Sequence, residues 1–170
     1  MIVVERTFTV TAAPGAVLGY LQDFANAQEW DPSARRTSRV GAGPIAPGTR
    51  WRHVRKLYGV TAELVYTLIA AEPGRLVFHG RSEGATCTDV VLVHPVPGGT
   101  EVSYRMELEV HGLAKLATRV LRGEVERLAS GSVSAVTAAL DELSRPAGLR
   151  RRLGPATPNR LPTPAEETGL

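Results

Sequence analysis

Four histidines and one cysteine, with scattered carboxylates and tyrosines, are the groups in this 170-residue chain that could do chemistry. His53, His79, His94 and His111 fall on separate predicted strands or strand ends. They lack the close spacing that gathers ligands around a metal, so neither a metal nor another cofactor is expected. Gly41-Ala42-Gly43-Pro44 leads into no helix and makes no phosphate loop. Cys87 stands mid-strand with no basic neighbour in sequence and reads as a small packed residue. What remains is a set of polar residues on predicted strands: His53, Glu63 or Tyr66, His79, Asp89 and Tyr104. Removing a proton alpha to a carbonyl needs a base and a donor to hold the enolate oxygen. His53 is the candidate base and Tyr104 the candidate donor.

These residues need elements to position them. Val4, Arg6, Phe8 and Val10 alternate with Val3, Glu5, Thr7 and Thr9, the period of a strand with one buried face. Pro14 suits the first turn of a helix, and Val17, Leu18, Leu21 and Phe24 carry that helix to about Asp23. A further helical turn over 25–30 stops at Asp31-Pro32. Short strands follow over 35–41, 49–57, 60–70, 75–80 and 85–94, separated by turn residues such as Glu72-Pro73-Gly74 and Pro97-Gly98-Gly99. The third strand sets Trp51, His53 and Arg55 against Arg50, Arg52, Val54 and Lys56. The seventh sets Val102, Tyr104, Met106, Leu108 and Val110 against Ser103, Arg105, Glu107 and Glu109, which puts Tyr104 on the buried side. On strands three to six, which residues face inward turns on register, and a slip of one residue inverts it.

After His111-Gly112 the period changes to about 3.6. Leu113, Leu116, Ala117, Val120, Leu121, Val125, Leu128, Ala135, Val136, Ala139, Leu140 and Leu143 form one apolar stripe, which predicts a long amphipathic helix to about Ser144. Pro146 blocks its continuation, and 146–170, rich in Pro, Gly and Arg, reads as a disordered tail beyond a single domain over 1–145. Hydrophobic residues at 43% and charged residues at 22% exclude a disordered chain and suit a globular one. The net charge is only +3, and Arg145, Arg150, Arg151, Arg152 and Arg160 cluster at the end, so the body is close to neutral. That distribution argues against nucleic acid as a partner and leaves weak contact of the tail with an anionic membrane surface. No run approaches the ~20 apolar residues of a membrane span. The residues from Met1 to Arg6 do not read as a signal peptide, and the lone Cys87 cannot form an internal disulfide, so a cytoplasmic monomer or homodimer is expected.

The order of strand, two short helices, six strands in hairpins and a long helix resembles the START-like (SRPBCC) superfamily, and within it the polyketide cyclase/dehydrase group common in actinobacteria. The resemblance runs over about 1–145 and is carried by Phe8-Thr9-Val10-Thr11-Ala12-Ala13-Pro14, Leu21-Gln22-Asp23-Phe24, Trp30-Asp31-Pro32, Gly98-Gly99-Thr100-Glu101-Val102 and the closing helix. It implies an α+β helix-grip fold, a curved antiparallel sheet of about seven strands with the long C-terminal helix over it. A bent sheet under one helix leaves an apolar space, and the helix stripe is rich in alanine while aromatics make up only 5% of the chain. The leading expectation is therefore binding of a small hydrophobic metabolite, lipid or polyketide-like molecule. Phe8, Trp51, Tyr66, Phe78, Asp89, Tyr104, Met106 and Leu121 are the candidate ligand-binding residues. The resemblance offers polyketide cyclisation or dehydration as the alternative; aromatase/cyclases of the group carry a cavity arginine near the end of the fourth strand, where Val65-Tyr66-Thr67-Leu68-Ile69-Ala70 has none. A third expectation is an interaction protein that docks through its tail.

Overall fold

The computed structural model describes residues 1–57, 59–112 and 118–145. The predicted tail 146–170 with its arginines, and Leu113, Leu116 and Ala117 of the helix stripe, lie outside the described residues. The chain runs β1 (Ile2–Val10), α1 (Pro14–Gln22), a 3-10 turn (Phe24–Asn26), α2 (Ala27–Trp30), β2 (Ala34–Val40), β3 (Arg50–Leu57), β4 (Val60–Glu72), β5 (Arg75–Arg81), β6 (Ala85–Val96), β7 (Gly99–Val110) and α3 (Thr118–Glu142). The seven strands form one antiparallel sheet in the order β1-β7-β6-β5-β4-β3-β2, so the first strand closes beside the last.

Alternation decides which face is which. Trp51, His53 and Arg55 on β3, Leu64, Tyr66 and Leu68 on β4, and Leu76 and Phe78 on β5 are buried, while the intervening residues of β3 and β4 are largely more exposed. Register shifts at Ala34/Arg36 on β2 and at Leu68/Ala70 on β4 break the ladder, and such bulges bend a sheet. Close approach at the β1–β7 edge requires glycine: a Cβ on Gly99 would overlap the Val10 carbonyl. Beside it the buried Thr100 hydroxyl donates to the Ala12 carbonyl at 2.7 Å and fixes the turn into α1.

Helix α1 begins at Pro14 with no side-chain cap and buries Val17 and Leu21. Asp23 then accepts from the Ala25 N–H at 3.0 Å and from Trp51 Nε1 at 3.1 Å, so one carboxylate both turns the chain and ties it to β3. Asp23 thereby caps the start of the second helical segment, which is not one helix but a 3-10 turn followed by the single turn of α2. Helix α3 lies against β1 and α2. Its C-terminal end is fastened by Asp141, whose Oδ1 accepts from the Thr11 N–H and hydroxyl at 2.7 and 2.9 Å. Val125, Leu128, Val136 and Leu140 are buried, but Val120, placed in the apolar stripe by periodicity, is 61% exposed in the first turn of the helix.

Candidate functional site

Between the inner face of the sheet and α3 lies a cavity of about 80 Å³. One wall is α3, with Val125, Leu128, Ala129, Ser132, Val133 and Val136. The opposite wall is the sheet, with Val4 and Arg6 on β1, His53 and Arg55 on β3, Tyr66 on β4, Asp89 on β6, and Tyr104 and Met106 on β7; Leu21, Phe24, Ala27, Trp30 and Asp31 close the end under the short helices. The volume of this space is well below the ~300 Å³ lower range of pockets for drug-sized ligands. The reason is aromatic filling. Phe24 stacks on Tyr66 at 4.1 Å between ring centroids and lies 5.2 Å from Phe78 and 6.2 Å from Trp51, while Trp30 meets Tyr104 edge-on at 6.1 Å. Phe24, Trp30, Trp51, Tyr66, Phe78 and Tyr104 thus gather around one place, which the overall scarcity of aromatics did not indicate.

Five of the sequence-stated candidates, His53, Tyr66, Asp89, Tyr104 and Met106, meet on this cavity. The others do not line it. Trp51 and Phe78 are fully buried in the core behind it, and Phe8 and Leu121 pack on the core as partly buried residues elsewhere on β1 and α3. Glu63 is exposed on the outer face beside Arg52, at 3.7 Å, and His79 alternates with the inward Phe78 and so faces outward. Register settles these two: Tyr66, not Glu63, is the inward residue of β4.

Two residues at the centre of the site were not among the candidates. Arg55 follows Trp51 and His53 on the inward face of β3 and is buried, so the alternation already carried the signal. Asp31, read from sequence as part of a helix stop, turns its carboxylate inward to meet it. Arg55 Nη2 lies 3.9 Å from Asp31 Oδ2, and Arg55 Nε donates to Ser33 Oγ at 3.1 Å. Ser33 in turn donates to Asp31 Oδ1 through its hydroxyl at 2.7 Å and its N–H at 2.8 Å. His53 Nε2 stands 3.5 Å from Asp31 Oδ2, and its Nδ1 is 2.9 Å from the Thr37 hydroxyl. The Thr37 N–H donates to Gln28 Oε1 at 2.8 Å, so the network reaches back to α2. Both nitrogens of His53 are thereby engaged within the protein.

The two buried carboxylates are driven in opposite directions. Burial works against ionisation of Asp31, but the His53 hydrogen bond, the Arg55 charge and the Ser33 hydrogen bond outweigh it and hold its pKa at about 2. Asp89 has weaker support: burial dominates and pushes its pKa up to about 6, against hydrogen bonding from Cys87 and Tyr104 and the charge of Arg55. Cys87 Sγ donates to Asp89 Oδ1 at 3.3 Å. Burial, with Asp89 close by, also raises the Tyr66, Tyr104 and Cys87 pKa values well above normal, so both phenols remain donors and the thiol is not a nucleophile. Burial alone would lower the Arg55 pKa, yet the Asp31 charge, together with Tyr66, Cys87 and Asp89 close by, outweighs it and the guanidinium stays charged. Among the described residues no three His, Cys, Asp or Glu side chains converge as a metal site requires.

Comparison with known proteins accords with this architecture. The Zhui aromatase/cyclase from a Streptomyces species superposes with a TM-score of 0.70 at 15% identity, covering 86% of this chain and 97% of that one. A START superfamily protein from Mycobacterium smegmatis gives a TM-score of 0.69 at 12% identity, covering 84% and 99%. A Thermus thermophilus protein gives 0.62 at 19% identity, covering 81% and 98%. At such identities the likeness establishes the fold alone. No curated protein matches the chain in sequence. The profile of one family, described as polyketide cyclase / dehydrase and lipid transport, matches residues 1–145, a span that includes every described residue, and the protein belongs to that family.

Proposed function

We propose that the protein binds a small hydrophobic molecule with an oxygen-bearing end, held in the cavity between the sheet and α3. The observation that carries this reading is Arg55: a buried guanidinium on the wall of an otherwise largely apolar space, with Asp31 at 3.9 Å as its ionic partner. A buried charge is costly unless well paired, and at this distance the pair leaves donor capacity for a ligand oxygen. Tyr104 and Tyr66 are neutral donors on the same wall, while Met106, Val125 and Val136 supply apolar contact for the rest of the molecule. With this reading goes a cytoplasmic protein, monomer or homodimer; no helix among the described residues is long and apolar enough to cross a membrane. Native mass spectrometry of the purified chain tests it: one co-purified organic molecule per chain is expected, and a chain that carries nothing and takes up no apolar carboxylate contradicts it.

A second reading, cyclisation or dehydration of a poly-β-keto chain, is favoured by Asp89. A carboxyl with a pKa of about 6 on the cavity wall is poised to accept a proton near neutral pH. Asp89 would take the proton alpha to a ketone, and the electron pair would move to the carbonyl oxygen, held by Arg55 and Tyr104. The enolate carbon would then attack a second carbonyl of the same molecule, and the proton would return to the new alkoxide. In this scheme His53, with both nitrogens occupied, orients Asp31 and through it Arg55. Likeness to an aromatase/cyclase supports it at the level of fold. In a reconstituted polyketide reaction, Asp89→Asn is expected to lower cyclised product by about 10²-fold. An unchanged product distribution on adding wild-type protein overturns this second reading and leaves the binding reading in place.

A further inference from the structure

Tyr66 on β4 stands opposite Gly80 on β5, and Gly80 stands opposite Cys87 on β6. All three are buried on the inner face. A Cβ placed on Gly80 would lie 2.7 Å from Tyr66 Cζ, 2.9 Å from Cε1 and 3.0 Å from Cε2. These separations are far inside the ~3.5–4.0 Å of a carbon–carbon contact, so the hydroxyl end of the ring rests on the bare backbone of Gly80. Gly80 is not among the glycines with positive φ, so its backbone conformation does not call for glycine. Glycine also weakens a strand interior. The ring above it is the physical reason for its place. The other face of that ring is occupied: Phe24 stacks on it at 4.1 Å with an interplanar angle of 21°. Tyr66 is thus clamped between the Gly80 backbone and Phe24, and Tyr66 and Phe24 both line the cavity.

We propose that Gly80 sets the depth of the cavity and thereby the size of ligand it accepts, acting as a positioning residue for Tyr66. Without a side chain at 80, the phenol lies flat across β5 and reaches the Cys87 and Asp89 side chains of β6. Any side chain there lifts the ring against Phe24, and the pair moves into a space of only about 80 Å³. The inference rests on the proposed reading of the cavity as the binding site, and its test separates the two.

The full chain is compared with Gly80→Ala, Tyr66→Leu and the double variant in two measurements: the Kd for naphthoate by calorimetry, and the rate at which an aromatic disulfide modifies Cys87, the one cysteine of the chain. Gly80→Ala is expected to weaken naphthoate binding by about tenfold or more, the scale of overpacking a core. Lifting the ring also uncovers Cys87, so modification is expected to accelerate by about as much. In the Tyr66→Leu background the same substitution should change either quantity by less than about twofold, because the partner it displaces is gone. Equal effects in both backgrounds, or no effect of Gly80→Ala in either measurement, overturn the proposal. If Gly80→Ala alone does not fold, the double variant is expected to fold, and its failure to do so also overturns the proposal. Wild-type protein that ignores naphthoate contradicts the binding reading, while the thiol rates still decide the role of Gly80.

Discussion

Asp31 and Asp89 share one cavity and have opposite thermodynamic effects. The Asp31 pKa is depressed to about 2, so its ionisation stabilises the fold above the ordinary carboxylate range, and that contribution is lost as pH falls toward 2. The Asp89 pKa is raised to about 6, so its contribution is favourable in the protonated form and is lost as pH rises through about 6. Asp89→Asn is therefore expected to be more stable than wild type above pH 6 by about 1–3 kcal/mol, with the difference vanishing below about pH 4. Urea unfolding at pH 4 and at pH 8 measures this, and a pH-independent difference contradicts it. Arg55 shows how legible such residues were. Its side of β3 was readable from Trp51 and His53, but nothing in sequence indicated that Asp31 and Ser33, more than twenty residues earlier, would supply its partners. That pairing is a long-range product of the fold, as is the outward turn of Glu63 and His79.

At the scale of elements, periodicity revealed seven strands and the closing helix, because one wet face and one dry face impose a period of two on each strand and about 3.6 on α3. It did not reveal the bulges at Arg35 and Ile69, which change spacing without changing composition, nor the division of the second helical segment into a 3-10 turn and α2. The volume of the cavity was also hidden, since it depends on Phe24, Tyr66, Trp51 and Phe78, from separate elements, meeting in three dimensions. A cavity this small must widen before a ligand the size of naphthoate enters, and α3 forms one whole wall of it. The C-terminal end of α3 is fastened to Thr11, whereas its middle is clasped to β1 by Arg6 Nη2 and Glu126 Oε2 at 2.7 Å. Both side chains of that clasp are partly exposed, so breaking it costs at most about 1 kcal/mol of stability. Glu126→Ala is expected to leave the melting temperature nearly unchanged and to raise the association rate of naphthoate several-fold in stopped-flow mixing. An unchanged rate would show that entry does not pass the clasp.

At the scale of the whole molecule, the matched family spans residues 1–145. We propose that this segment folds alone, and a chain ending at Arg145 is expected to unfold within about 0.5 kcal/mol of the full protein. A large loss of stability would place essential contacts beyond Arg145. The central claim is that a ligand occupies the space between sheet and helix, and Met106 on the inner face of β7 tests it most directly because it lines that space without belonging to the Asp31–Arg55–His53 network. Calorimetric titration of naphthoate into wild type and Met106→Trp, with folding of both checked by near-UV circular dichroism, is the decisive measurement. The expected result is one saturable site per chain in wild type that is lost in the folded variant. Binding of equal strength in both, or none in wild type, contradicts the account.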